Sequence, residues 1–203
     1  MRLGVIGGTF DPVHNGHLFI AEEARRRYEL DKVLIMTSSE PPHKPGAYFS
    51  PARDRLAMVR MAVEGNPGFE ASSIEVDRGG PSYTVETLRT LIDKHPDAEL
   101  FFITGTDAIV EISTWREPAQ VLALSKFIVA ARRGVELSSV TDALPADLFS
   151  VAGHDRILLM ESPMIDISAS EIRERVSQGR AIRYLVPEPV FSYIEDSGLY
   201  RKV

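Results

Sequence analysis

Two histidines, His14 and His17, stand three residues apart in the segment GGTFDPVHNGH, between a strand-like run and a helix-like run. At this spacing two imidazoles project from adjacent turns, where they can contact a phosphate as neutral donors or as cations. Gly7 and Gly8 remove side chains where the chain turns, so a ligand can approach the peptide N–H groups directly. A helix that begins near Gly16 or His17 points the positive end of its dipole at the same space. The segment therefore predicts a phosphate-binding site.

Two other interpretations of His14 and His17 need no phosphate. The segment matches neither the G-x-G-x-x-G nor the G-x-x-x-x-G-K-[ST] pattern of common nucleotide-binding loops. A His-x-x-His pair is half of a zinc site, but no third ligand follows at a typical spacing and the chain has no cysteine. The second alternative is a pair of core histidines beside glycines that serve only the turn. The spacing of the two histidines leaves these alternatives open.

Composition limits the class of protein. The chain has 203 residues, 44% of them hydrophobic, and contains no linker, repeat or low-complexity tract. These features predict one domain over residues 1–203, with a C-terminal helical part, from about residue 168, packed on it. The 23 Lys and Arg against 29 Asp and Glu give a net charge of -6, and no basic stripe with interleaved aromatics is present, so nucleic-acid binding is not expected. The absence of cysteine excludes disulfides and thiolate metal sites.

The sequence also carries no sign of export or membrane insertion. Its first residues lack a basic region followed by an apolar one, and no apolar run approaches the roughly 18 residues of a membrane span. We therefore expect a cytoplasmic protein with no membrane partner. The sequence leaves the oligomeric state open, with a homo-oligomer among the alternatives.

Strand-like and helix-like segments alternate along the chain. Unalternated apolar runs predict strands that are buried on both faces of a parallel sheet, at residues 3–6, 33–36, 100–104, 127–131 and 157–160. Amphipathic patterns predict a first helix through Leu18 to Tyr28, a second behind Pro51, and a third that opens at Thr84 and ends before Pro96. This order predicts an α/β fold with a Rossmann-like, open, mostly parallel sheet and helices on both faces. Ligands of such sheets bind beyond the carboxyl ends of the strands, where the histidine segment lies.

The histidine segment resembles a known signature. His14-Asn15-Gly16-His17, preceded by Gly-Gly-Thr-Phe-Asp-Pro, is similar to the H-x-G-H motif of the nucleotidyltransferase superfamily, and its longer form resembles the bacterial nicotinate-nucleotide adenylyltransferase family in particular. The resemblance extends from residue 4 to about residue 195. It implies a reaction in which ATP and nicotinate mononucleotide give nicotinate adenine dinucleotide and pyrophosphate.

The resemblance also assigns residues to the mononucleotide. The P-P-H-K stretch, with His43 and Lys44, follows the second predicted strand, where the family binds the phosphate of the second substrate. The stretch Ser82-Tyr83-Thr84 resembles the segment that holds the nicotinate carboxylate, and Thr84 is also a plausible helix N-cap.

A third segment, TGTDAIVEISTW, matches the G-x-D motif of the family and a tryptophan that follows it. Gly105 and Asp107 come just after a predicted strand, and Trp115 is expected to stack on the pyridine ring. The next residue, Arg116, departs from the aromatic residue common in the family, which leaves its contribution to carboxylate recognition open.

The segment ISASEIR resembles the I-S-S-T-x-x-R motif at the far end of the family's active site. Ser168 and Glu171 also read as a capping box, which by itself explains both residues. Hydroxyls and N–H groups at this helix start, with Arg173 one turn in, could hold the outer phosphates of a triphosphate. For the ATP side the resemblance implies Gly8, Thr9, Phe10, Gly16, Gly105, Asp107, Ser168, Ser170 and, as a weaker candidate beside Arg133, Arg132.

The implied chemistry requires no protein nucleophile, because the attacking phosphate oxygen is already anionic. We assign His14 to the α-phosphate, His17 to the neighbouring phosphate oxygens, Arg173 and Ser168 to the leaving pyrophosphate, and Lys44 to the incoming phosphate. Mg²⁺ is expected to arrive with ATP, with no dedicated metal site in the protein. The alternatives are another adenylyl- or cytidylyltransferase of this fold, for example one acting on phosphopantetheine, and a nucleotide sensor without turnover.

Overall fold

Six parallel strands form one sheet in the computed structural model, which describes residues 1–42, 49–131, 134–153, 155–163 and 165–201. The strands are β1 (Arg2–Gly8), β2 (Lys32–Thr37), β3 (Phe69–Ser72), β4 (Glu99–Gly105), β5 (Lys126–Ala131) and β6 (Ile157–Glu161). Their order across the sheet is β3-β2-β1-β4-β5-β6. The predicted Rossmann-like α/β fold is confirmed, and all the strand pairs in the described residues are parallel.

The helices of the described residues cover both faces of the sheet. They are α1 (Asn15–Arg27), α2 (Ala52–Val63), α3 (Ile74–Arg78), α4 (Thr84–Lys94), α5 (Thr106–Val110), α6 (Pro118–Leu124), α7 (Leu137–Thr141), α8 (Ala146–Ala152), α9 (Ala169–Ser177) and α10 (Glu188–Ser197), with a 3₁₀ turn at Ile112–Thr114. None of these described helices is long and apolar enough to cross a membrane.

Each face of the sheet has its own apolar core. One core joins α1 and α2 to the C-terminal helices, through buried residues such as Ala21, Val59, Ile172 and Ile194. The other joins α4, α6 and α8 to the opposite face. Because β1, β2, β4 and β5 contribute to both cores, their apolar runs show no alternation.

Strand β3 has no counterpart among the predicted strands. It is a four-residue edge strand, paired only with β2, and of its residues only Ser72 is buried. A strand this short and this exposed contains no apolar run from which it could be predicted. Its pairing with the neighbouring strand stabilises it instead.

Helix α4 begins at Thr84, as predicted, but its N-cap differs from the sequence expectation. Tyr83, not Thr84, is the N-cap of α4, so the assignment of Thr84 as the cap was wrong. The chain is already fixed before this helix, because Ser82 N donates to the Glu40 carbonyl and Ser82 Oγ accepts from Ser39 N. Helix α2 begins at Ala52, directly behind Pro51, which is its N-cap.

The order of the strands locates the ligand crevice. Strand β1 lies between β2 and β4, so the chain reverses its direction of winding at the β1–β4 pair, where Ile6 pairs with Ile103. In open α/β sheets ligands bind beyond the carboxyl ends of the strands at this switch point. The histidine segment follows β1 and the G-x-D motif follows β4, so the topology brings both to this crevice.

Candidate active site

A cleft of about 450 Å³ lies at the carboxyl end of β1. It is bounded on one side by the loop into α1 and on the other by the start of α9. The sequence-assigned residues that the structure brings together here are Thr9, Phe10, His14, Gly16, His17, Ser168, Ser170 and Arg173. Two segments more than 140 residues apart in the sequence therefore share one cavity.

The two histidines form a stacked pair. Their ring centroids are 3.5 Å apart, and the edge of Phe10 packs against His17 with centroids 4.9 Å apart. His17 Nδ1 accepts a hydrogen bond of 3.2 Å from the backbone N–H of His14. A neutral His17 therefore carries its proton on Nε2, because the nitrogen that accepts the hydrogen bond has no proton. The turn thus fixes both the orientation and the tautomer of His17.

Gly16 and Gly8 allow these rings to approach the backbone. A Cβ on Gly16 would lie 3.1 Å from His14 Nδ1 and 3.3 Å from His14 Cε1, closer than ordinary packing allows. A Cβ on Gly8 would lie 2.9 Å from the ring of Phe10. A side chain at either glycine would therefore displace the ring of Phe10 or of His14.

Burial keeps both histidines neutral in the ligand-free protein. It lowers the pKa of His14 from 6.5 to about 4. Burial, with repulsion from His14, lowers the pKa of His17 to about 3. Within the described residues the buried Nδ1 of His14 has no hydrogen-bond partner. Of the two forms that the sequence left open, neutral donor or cation, these pKa values favour the neutral one at pH 7.

The start of α9 supplies hydroxyl groups and a fixed cation. Ser168 caps the helix by accepting from Glu171 N at 3.2 Å, which confirms one half of the predicted capping box, whereas the Glu171 carboxylate accepts from Arg175 at 2.8 Å. The Ser168 hydroxyl lies 3.3 Å from that of Ser170. Arg173 Nη1 donates to the Asp11 carbonyl at 2.7 Å, which ties α9 to the β1 loop. Because α1 and α9 both begin at the cleft, the positive ends of two helix dipoles face the same volume.

Two residues assigned to the mononucleotide, Tyr83 and Arg116, are not among the described residues that line this cleft, and they contact each other. The Arg116 guanidinium stacks over the Tyr83 ring at 4.6 Å and pairs with Glu86 at 3.0 Å. Trp115 is half-buried and packs edge-on against Phe102, with centroids 5.8 Å apart. The segments that carry Tyr83 and Trp115 are therefore neighbours in space, as the resemblance requires of a common pocket.

The remaining assigned residues have different surroundings. Ser82 is buried and holds the loop after β2, and Thr84 is half-buried in the first turn of α4. Gly105 and Asp107 are exposed, at the end of β4 and in the short helix α5. The residues assigned to the incoming phosphate and the weaker ATP-side candidate, His43, Lys44 and Arg132, lie outside the described residues.

Sequence reasoning missed Arg55, a fully buried arginine of α2. Its guanidinium donates to four backbone carbonyls at 2.7–2.9 Å, those of Thr9, Ser38, Ser39 and Ser50. One side chain thus holds together the loops after β1 and β2 and the entry to α2. A signal existed, because Arg55 precedes Met58 and Val59 by three and four residues and so shares their buried face.

Comparisons with known proteins show the family of the chain. The cytidylyltransferase-like family model matches residues 5–175. A relative from Roseiflexus sp. (strain RS-1), named "probable nicotinate-nucleotide adenylyltransferase", is 46% identical over 201 residues, which cover 98% of this chain and 98% of the relative. A relative of the same name from Thermomicrobium roseum is 44% identical over 204 residues, which cover 100% of this chain and 92% of the relative.

A solved structure shares the fold at low sequence identity. The Plasmodium falciparum nicotinic acid mononucleotide adenylyltransferase complexed with NaAD has a TM-score of 0.77 and 18% identity to this chain. The match covers 98% of this chain and 97% of that one. The similarity therefore includes both the sheet and the C-terminal helices.

Proposed function

The chain belongs to the nicotinate-nucleotide adenylyltransferase family, and from this premise we propose how its residues perform the reaction. The enzyme joins ATP and nicotinate mononucleotide to give nicotinate adenine dinucleotide and pyrophosphate. The observation that carries the residue assignments is the meeting of the histidine pair and the α9 start at one cleft.

The 5′-phosphate of the mononucleotide attacks the α-phosphorus of ATP in line, and pyrophosphate leaves. The attacking oxygen is already anionic, so the protein contributes position and electrostatic stabilisation, and no protein group is adenylylated. Like unit charges about 4 Å apart repel by roughly 4 kcal/mol at an effective dielectric near 20. The site must offset this repulsion as the two substrates come together.

We assign His14 to the α-phosphate and His17 to the neighbouring oxygens, which it reaches through its Nε2 proton. In the ligand-free protein the pair is neutral, so Arg173 and the two helix starts supply the positive potential that attracts the triphosphate. A bound triphosphate then opposes the cost of burying imidazolium and raises the pKa of each ring. Arg173 and Ser168 hold the leaving pyrophosphate.

The mononucleotide is assigned to the second half of the crevice. Trp115 stacks on the pyridine ring, and the start of α4, with Tyr83 and Thr84, holds the carboxylate. Arg116 supplies the positive charge next to this pair. Lys44 and His43 receive the 5′-phosphate.

We infer that ATP enters as its magnesium complex. Among the described residues of the cleft only Asp11 has a carboxylate, and both of its oxygens already accept hydrogen bonds, from Tyr200 and from Ser50 N. This donor set suits an ion carried by the phosphates better than one held by the protein.

We also propose that the reaction takes place in the cytoplasm, which agrees with a chain that contains no cysteine.

Pyrophosphate release from ATP, measured with a panel of acceptors, tests the function. We expect turnover with nicotinate mononucleotide, weaker turnover with nicotinamide mononucleotide, and none with phosphopantetheine or a polyol phosphate. Preference for one of the last two would identify a transferase of the same fold with another substrate. Binding of the mononucleotide without pyrophosphate release would indicate a sensor.

A further inference from the structure

The cleft is supported from behind by a buried hub at Asp11, whose exposed fraction is 2%. Its carboxylate accepts from the Tyr200 hydroxyl at 2.6 Å and from Ser50 N at 3.2 Å. Its backbone carbonyl accepts from Arg173 at 2.7 Å. The same residue therefore contacts the C-terminal segment, the entry to α2 and the arginine assigned to pyrophosphate.

Arg55 lies near this hub and fixes the loops around the cleft through its four hydrogen bonds to backbone carbonyls. Burial lowers the pKa of Arg55, and the negative charge of Asp11 partly offsets this effect. A buried charge of this kind is held only by several partners together, so losing one partner shifts the others. The position of the Asp11 carboxylate is thus coupled to that of the loop that precedes His14.

Tyr200 is the member of the hub contributed by the chain after α10. Its ring packs against the core that includes α1 and α2, and its backbone has a φ of 66°, a left-handed value that non-glycine residues seldom adopt. Such a conformation persists where surrounding contacts determine it, and the 2.6 Å bond to Asp11 is one of these contacts. Burial and the neighbouring Asp11 raise the pKa of Tyr200, so its hydroxyl remains a donor at neutral pH.

We propose that Tyr200 is a positioning residue for ATP: by holding the Asp11 carboxylate it fixes the loop whose carbonyl anchors Arg173 and whose next turn carries His14 and His17. Tyr200 is not among the described residues that line the cleft, and its hydroxyl acts through Asp11, to which it donates at 2.6 Å. The proposal rests on the assignment of ATP to this cleft, and it predicts that ATP binding is sensitive to a single oxygen atom near the end of the chain.

The chain offers a matched control in Tyr193 of α10. Its hydroxyl also donates to a carboxylate, Asp54 Oδ1 of α2, at 2.8 Å, and this contact is likewise partly buried. Tyr193→Phe and Tyr200→Phe therefore each remove one tyrosine–aspartate hydrogen bond between the C-terminal region and the rest of the protein. Only Tyr200 contacts the loop of the cleft.

The experiment measures the melting temperature, ATP binding by calorimetry and the kinetic constants of both variants and the wild type. We expect both variants to melt a few degrees lower, by about 2–4 °C. Tyr200→Phe is expected to weaken ATP binding and to raise the KM for ATP about fivefold to tenfold, with a KM for the mononucleotide within about twofold of the wild type. Tyr193→Phe is expected to leave all binding and kinetic constants within about twofold.

Equal ATP affinities in the two variants would overturn the proposal, as would an equal rise in both KM values in Tyr200→Phe. The titrations are made at low temperature, so that a lower melting temperature does not prevent the comparison. Because calorimetry needs no turnover, a failure of the adenylyltransferase assay in the wild type would be separate from a failure of the Tyr200 proposal.

Discussion

The two halves of the crevice differ in how much their polar groups are already paired. On the ATP side the assigned groups line a cleft of about 450 Å³; His14 is one of them, and its buried Nδ1 atom has no hydrogen-bond partner among the described residues. On the mononucleotide side Arg116 is paired with Glu86 and stacked on Tyr83. Arg173 on the ATP side also has an internal contact, but a hydrogen bond to the neutral carbonyl of Asp11, whereas Arg116 is held by a charged partner. Under the proposed assignments the mononucleotide therefore replaces an ion pair of Arg116, and ATP replaces no ion pair of Arg173.

This difference has an energetic consequence. Groups that already face an open cavity lose little on binding, so removing one of them costs most of its interaction with the reacting phosphates. A charged group that gives up an ion pair to bind a substrate contributes to the binding free energy only the difference between its contact with the substrate and the ion pair it lost. We therefore expect substitutions on the ATP side to affect turnover strongly and those on the other side to affect the KM for the mononucleotide moderately.

The largest effect is expected for His17→Ala. It removes a donor whose direction is fixed by the hydrogen bond from His14 N, and kcat should fall about 10²- to 10³-fold while the protein still melts cooperatively. Steady-state kinetics and a melting curve check this. His95→Ala, which removes an exposed histidine at the end of α4, is the control. Kinetics like those of the wild type from folded His17→Ala protein would remove the roles assigned to both histidines of the cleft.

A smaller effect is expected for Trp115→Ala. Loss of ring stacking should raise the KM for nicotinate mononucleotide about tenfold and change the KM for ATP much less. Because Trp115 also packs on Phe102, the melting temperature should fall as well, and assays are made well below it. A larger loss of ATP affinity than of mononucleotide affinity would place the pyridine pocket elsewhere.

Arg116→Gln tests carboxylate recognition at the same end of the crevice. Removing this charge should lower the preference for the nicotinate over the nicotinamide mononucleotide about threefold to fivefold, because only the former carries the extra negative charge. Arg89→Gln is the matched control, since Arg89 is also half-exposed and pairs with Glu117 at 2.6 Å. An unchanged preference in Arg116→Gln would assign discrimination to the start of α4 alone.

The smallest effect concerns pH and the ligand-free protein. The folded-state pKa of His14, about 4, lies below its ordinary value of 6.5, so between these values the unfolded chain binds a proton that the folded protein does not. The free energy of unfolding should therefore fall as the pH drops from 6.5 to 5, by about 1–2 kcal/mol for this residue, and should not change on this account above pH 7. Denaturant unfolding of wild type and His14→Gln at pH 7 and pH 5 measures the difference. An equal pH dependence in both would show that His14 is not buried as described.

The amino-acid sequence determined the elements and the main features of the ATP side. Apolar runs predicted five of the six strands, because a strand that is buried on both faces is visible in the sequence as a continuous apolar segment. The Gly-rich turn with His14 and His17 predicted phosphate binding, because the chemistry and the local geometry lie within eleven consecutive residues. The Ser168 cap was predicted for the same reason, since its partner is three residues away.

Contacts between distant segments were decided only by the tertiary structure. No local pattern reveals β3, which depends on β2, or Tyr200, whose partner Asp11 is 189 residues away. The protonation state of the histidines was also beyond the sequence, because it depends on how deeply the two rings are buried and how closely they stack. Residue types determine which hydrogen-bonding groups and charges are available. Burial and contacts between distant residues exist only in the folded chain, and burial is what keeps His14 and His17 neutral before ATP binds.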